Sequence, residues 1–135
     1  MLVRRVYFRL LFGLTALALA ACGSRSALPP RSIAVELTEF TITPTVYSAQ
    51  TGEPLTFVVT NQGVLDHNVT ILNPSGKELA HVEVKSGQAA RFDFHPSAPG
   101  GLQIICSIDG HYKAGMSAQL MVNDLPAVAQ APSGR

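Results

Sequence analysis

Short runs of alternating apolar and polar residues fill the chain between Ile33 and Val122. Ile33, Val35 and Leu37 alternate with Ala34, Glu36 and Thr38. Leu55, Phe57 and Val59 alternate with Thr56, Val58 and Thr60. Phe92 and Phe94 alternate with Arg91 and Asp93. A period of two places successive side chains on opposite faces of a strand. Thr, Val and Ile, which suit strands, are abundant. Turn signals separate the runs: Thr51-Gly52-Glu53-Pro54, Asn61-Gln62-Gly63, Asn73-Pro74-Ser75-Gly76, Ser86-Gly87 and Pro96-Ser97-Ala98-Pro99-Gly100-Gly101. No helical-period run of about twelve residues survives between these breakers. The pattern predicts an all-β domain, an antiparallel Greek-key β-sandwich over residues 32–124.

The ends of the chain read differently. Arg4, Arg5 and Arg9 precede an apolar run from Leu10 to Ala20. That run is too short and too rich in small residues for a membrane span, and fits an export signal. It ends Leu19-Ala20-Ala21-Cys22, which resembles a bacterial lipobox. The resemblance implies removal of residues 1–21 as a lipoprotein signal peptide and acylation of Cys22. Residues 22–31 then form a lipidated, flexible tether. Residues 125–135, rich in Ala, Pro, Ser and Gly, read as a disordered tail. The expected location is the cell envelope, lipid-anchored on the extracytoplasmic side, in the periplasm or at the cell surface.

Charge narrows the partners. The 135 residues hold ten Lys and Arg against nine Asp and Glu. Loss of residues 1–21 removes three arginines and no acid, leaving seven bases, nine acids and a formal charge of −2. A near-neutral, slightly acidic domain is not expected to bind nucleic acid. With Cys22 acylated, Cys106 is left as a single thiol in an oxidising compartment. Metal ligation accounts for such a thiol.

Cys106, His111 and Met116 stand in the segment Cys106-Ser107-Ile108-Asp109-Gly110-His111-Tyr112-Lys113-Ala114-Gly115-Met116, and His67 lies far upstream. One thiolate, two imidazoles and one thioether make the ligand set of a blue-copper electron-transfer site. Zinc would favour more thiolates or histidines and has little use for a thioether. Strand parity tests the idea independently. His67 falls with Val69 and Ile71, Cys106 with Leu102 and Ile104, and Met116 with Ala118, Leu120 and Val122. Each of these three ligands therefore joins an apolar, inward set at a strand end, and the loop joining the last two carries His111. One pole of a sandwich can gather all four.

The residues Phe40-Thr41-Ile42-Thr43-Pro44, Gly52, Asn61, Asp66-His67-Asn68-Val69 and the Cys106, His111, Met116 spacing resemble the cupredoxins, which include plastocyanin and azurin. The ligand loop looks most like those of auracyanin and sulfocyanin. The resemblance spans about residues 32–123. It implies one copper ion in a type 1 site, Cu(I) or Cu(II), with His67, Cys106 and His111 equatorial and Met116 axial. It also implies that Asn68 ties the ligand loops together near the sulfur, with Ser107 answering it, and that His111 reaches the surface to pass the electron. Aromatic residues common before the family's cysteine are replaced here by Leu102 and Ile104.

His81 and His95 read as surface residues, Asp66 and Asp109 as solvated loop acids, and Tyr112 as either a flank for His111 or a solvent-facing ring. No nucleophile, base and orienting group stand together, so the chain does not read as an enzyme. The expected function is a membrane-tethered, monomeric blue copper protein that carries single electrons. Its expected partners are transient redox proteins, cytochromes or membrane redox complexes, docking on a modest apolar surface around His111. The alternative is a copper chaperone, store or sensor with the same ligands.

Overall fold

The computed structural model describes residues 28–124. The signal segment, Cys22, most of the tether and the tail from 125 onward lie outside the described residues. Nine strands follow one another: β1 (Arg31–Thr38), β2 (Thr41–Thr43), β3 (Val46–Gln50), β4 (Leu55–Asn61), β5 (His67–Leu72), β6 (Glu78–Val84), β7 (Ala89–Phe94), β8 (Gly100–Ile105) and β9 (Ser117–Asn123). No helix among the described residues is long and apolar enough to cross a membrane.

The strands form two sheets, ordered β2-β1-β4-β7 and β3-β9-β8-β5-β6, packed as the expected all-β sandwich. Most neighbours are antiparallel. Two pairs are parallel, β1 with β4 and β3 with β9, so both sheets are mixed. The chain crosses from the first sheet to the second at Thr43–Pro44, whose peptide bond is cis. Local alternation defines which face of a strand turns inward. It carries no information on the direction of a distant neighbour, which is why the parallel pairs are a structural finding.

Alternation maps onto burial in β1, β4 and β9, where every second residue is buried. Phe57 at the centre of β4 is fully buried. It stacks on Phe92 at 4.9 Å between centroids and meets Tyr47 and Phe94 edge-on, each at 6.4 Å. Leu37, Ile42, Ile71, Ile104 and Leu120 complete the centre of the core.

β5 departs from alternation. His67, Asn68, Val69, Thr70 and Ile71 are all buried. Val69 and Ile71 join the core, as parity requires. Asn68 and Thr70 face the other way, and Asn68 Oδ1 and the Thr70 hydroxyl are hydrogen-bonded, which lowers the cost of covering them.

β5 runs antiparallel to β8, and β8 runs antiparallel to β9. The start of β5, the end of β8 and the start of β9 therefore share one pole. His67 opens β5, Cys106 follows β8, and Met116 precedes β9.

Candidate metal centre

Three of the four sequence-derived ligands offer donor atoms within 4.8 Å of one another: His67, Cys106 and His111. The two histidines face each other through Nδ1, 3.1 Å apart. The sulfur of Cys106 lies 3.5 Å from Nδ1 of His111. Cys106 is fully buried and His67 nearly so, while His111 is half-buried. Met116 is also fully buried, and its backbone locks onto this group. Its N–H donates to the carbonyl of His111 at 3.1 Å, and its carbonyl accepts from the N–H of Cys106 at 3.2 Å.

The loop between Cys106 and Met116 is held by its own backbone. His111 N–H donates to Ile108, Ala114 N–H to Gly110 and His111, and Gly115 N–H to Tyr112, at 3.0 to 3.1 Å. Gly110 and Gly115 sit at φ of 83° and 105°, in a region that side chains avoid. Those two glycines let eleven residues bring the sulfur and the imidazole back to one point.

Asn68 ties this loop to the histidine strand. Its Oδ1 accepts the N–H of Ser107 at 2.8 Å and lies 3.3 Å from the Ser107 hydroxyl. Its own N–H points at the sulfur of Cys106, 3.5 Å away. An N–H directed at the sulfur helps fix its direction. Sequence reasoning missed Thr70, whose hydroxyl lies 3.3 Å from Ser107 Oγ, 3.4 Å from Asn68 Oδ1 and 2.9 Å from His81 Nδ1. His81 and His95 are exposed.

The approach to His67 is equally built. Asn61 donates through Nδ2 to the carbonyls of Leu65, at 2.8 Å, and Val84, at 3.0 Å, and its Oδ1 accepts from Gly63. Asp66 is exposed but not idle, accepting from Lys85 Nζ at 2.9 Å and Ser86 N–H at 3.0 Å. The ring beside His111 is Phe40, edge-on at 5.2 Å. Tyr112 is exposed, and its hydroxyl accepts from Gln103 Nε2 at 2.8 Å. No sequence signal singles out Phe40 as a neighbour of His111, because the two lie far apart along the chain.

These groups fit copper. Burial, and then the neighbouring His111, hold the His67 pKa below the ordinary imidazole value, which favours the neutral form a metal needs. Two imidazole nitrogens and a sulfur aimed at one point cannot satisfy one another fully as hydrogen-bonding groups. Nε2 of His67 is buried with no hydrogen-bond partner. A soft thiolate with two imidazoles and a nearby methionine is the donor set that accommodates both copper oxidation states.

Comparison with known proteins agrees with this geometry. The family described as Cupredoxin-like domain matches residues 10–120. Auracyanin B is 20% identical, with a TM-score of 0.64 over 69% of this chain and 88% of that one. Auracyanin A from Chloroflexus aurantiacus, described as a "blue" copper protein, is 19% identical, with a TM-score of 0.62 over 70% of this chain and all of that one. The multicopper oxidase mgLAC is 15% identical, with a TM-score of 0.59 over 74% of this chain but 41% of the oxidase. At such identities the likeness is one of fold. No curated protein is similar enough in sequence to be counted a relative. The match to the family over most of its length places this chain among the cupredoxin-like proteins.

Proposed function

We propose that this protein carries single electrons through one type 1 copper ion held by His67, Cys106, His111 and Met116. The observation that carries the reading is the convergence of two imidazole nitrogens and one buried sulfur within 4.8 Å at one pole of the sandwich. Copper bound there would supply reversible one-electron chemistry. The chain's own residues do the rest. The self-bonded ligand loop and Asn68 hold the donors in place. Burial of Cys106 and His67 keeps water from the sulfur. His111 is the one donor of the three that reaches the surface, so the electron passes by its ring.

Phe40, Val64, Leu65 and Tyr112 expose apolar area around the ligand loops. Such a surface suits brief contacts with redox proteins, cytochromes or membrane redox complexes. The monomer is held at the extracytoplasmic face of a membrane by lipid on Cys22. A carrier is favoured over a multicopper enzyme because the shared fold spans only 41% of the oxidase it resembles.

The test is to add Cu(II) to residues 22–135 carrying Cys22→Ser. An intense visible thiolate-to-copper band, reversible redox cycling and slow copper loss to a chelator are expected. A colourless complex overturns the reading. A coloured one that surrenders copper rapidly would instead indicate a copper chaperone or store.

Met116→Leu probes the axial position. Its fold should hold, because Leu and Met exchange in cores at a cost of less than about 1.5 kcal/mol. Removing the thioether disfavours Cu(II), so the colour should persist and the reduction potential should rise. Voltammetry of the copper-loaded variant reads the shift. An unchanged or lower potential removes Met116 from the ligand set.

A further inference from the structure

The two-residue turn between β1 and β2, Glu39-Phe40, reaches both imidazoles. Phe40 packs against the ring of His111, and holds a left-handed φ of 64° to do so. A bulky residue in that region costs on the order of 1–3 kcal/mol and persists where its surroundings demand it. Glu39 projects to the other ligand. Its Oε1 accepts the N–H groups of Val64 at 2.6 Å and Leu65 at 3.1 Å, on the loop that leads into His67. The same oxygen lies 4.0 Å from Nε2 of His67, the buried nitrogen without a hydrogen-bond partner.

The carboxylate is also fitted to its place. A methyl at Gly63 would collide with its Oε1 and lie 3.0 Å from its Cδ. No lysine or arginine nitrogen among the described residues lies within 4.0 Å of it, whereas Asp66 is paired with Lys85 at 2.9 Å. An unpaired anion is thus pinned beside the back of one ligand ring. At 4.0 Å the contact is too long for a direct hydrogen bond, so the carboxylate acts on the ring through its field.

We propose that Glu39 is a positioning residue for the copper site, clamping the 63–65 loop that presents His67 and setting the reduction potential through its negative charge. This rests on the type 1 copper reading above. A fixed anion near the metal favours the more highly charged Cu(II) over Cu(I) and lowers the potential. Removing the charge raises it.

Glu39→Gln separates the two roles. Glutamine keeps an Oε1 acceptor for the Val64 and Leu65 amides and loses only the charge. Its copper-loaded form should therefore unfold at the wild-type temperature. At a fixed applied potential its Cu(II) to Cu(I) ratio should fall by about three- to tenfold, roughly 28–59 mV of positive shift for one electron. Gly63→Ala keeps the charge and displaces the carboxylate, and should shift the potential in the same direction. In the metal-free protein, Glu39→Ala should speed hydrogen exchange at the Val64 and Leu65 amides. A blue wild type whose Glu39→Gln form shows an unmoved potential overturns this inference and leaves the electron-carrier reading standing. A wild type that stays colourless with Cu(II) ends both. Unchanged exchange at residues 64 and 65 in Glu39→Ala overturns the clamp.

Discussion

Cys106→Ala should abolish the visible charge-transfer band while leaving a folded protein. The colour of a type 1 site comes from electron density moving from a thiolate sulfur to Cu(II), and Cys106 is the only cysteine among the described residues. Nothing else at the site can replace it, since the other proposed donors are two imidazoles and an uncharged thioether. Copper affinity should fall by more than the roughly 10–100-fold that follows loss of an outer hydrogen-bond partner. The structural cost is modest. Alanine suits a buried position, and the lost contacts are two 3.5 Å interactions, with the N–H of Asn68 and with Nδ1 of His111; leaving that buried N–H unpaired costs about 1–3 kcal/mol. Visible absorption and paramagnetic resonance of the copper-treated variant, beside its thermal unfolding curve, provide the check. A variant that keeps an intense band would assign the sulfur role elsewhere.

The second large effect lies far from the chemistry. Phe57→Ala should destabilise the metal-free domain by about 3–5 kcal/mol, the usual cost of deleting a buried phenyl group. Phe57 is wholly inaccessible, stacked on Phe92 and flanked by Tyr47 and Phe94. It sits mid-strand in β4, which is paired on both sides, to β1 and to β7, so the backbone cannot easily collapse into the gap. Domains of this size are stable by about 5–15 kcal/mol in total. One substitution would therefore remove a large share. Urea unfolding measures the loss. The folded fraction should still turn blue, because Phe57 is not among the residues around the donors. A loss below about 1 kcal/mol would mean that neighbouring side chains refill the space.

The contrast between these two residues shows what a sequence displays. The convergence of His67, Cys106 and His111 was legible because a metal-binding donor set constrains residue type, and the strand period puts His67 and Cys106 on inward faces. The ligand loop was legible for a similar reason, since its two glycines and its length are fixed by backbone geometry. β2 and β3 were not read from the chain. They are short edge strands with only Ile42, Tyr47 and Ala49 turned inward, too few for alternation to stand out. The parallel pairing of β1 with β4 was equally hidden, because a strand's own pattern is the same whichever way its neighbour runs. Glu39 and Thr70 were hidden because their partners are remote. A carboxylate at 39 meets amides at 64 and 65, and a threonine at 70 meets a serine at 107. Nothing local marks such pairs.

β9 is the last strand among the described residues, yet it lies inside its sheet, between β3 and β8. The sandwich is thus a garment whose final seam is an interior one. Until that segment is delivered, β3 and β8 have no common neighbour, and Met116 at its leading end is missing from the pole. A chain made from its first residue onward would keep this sheet open until β9 is added. Closing of the five-stranded sheet and arrival of Met116 beside Cys106 would then be a single event.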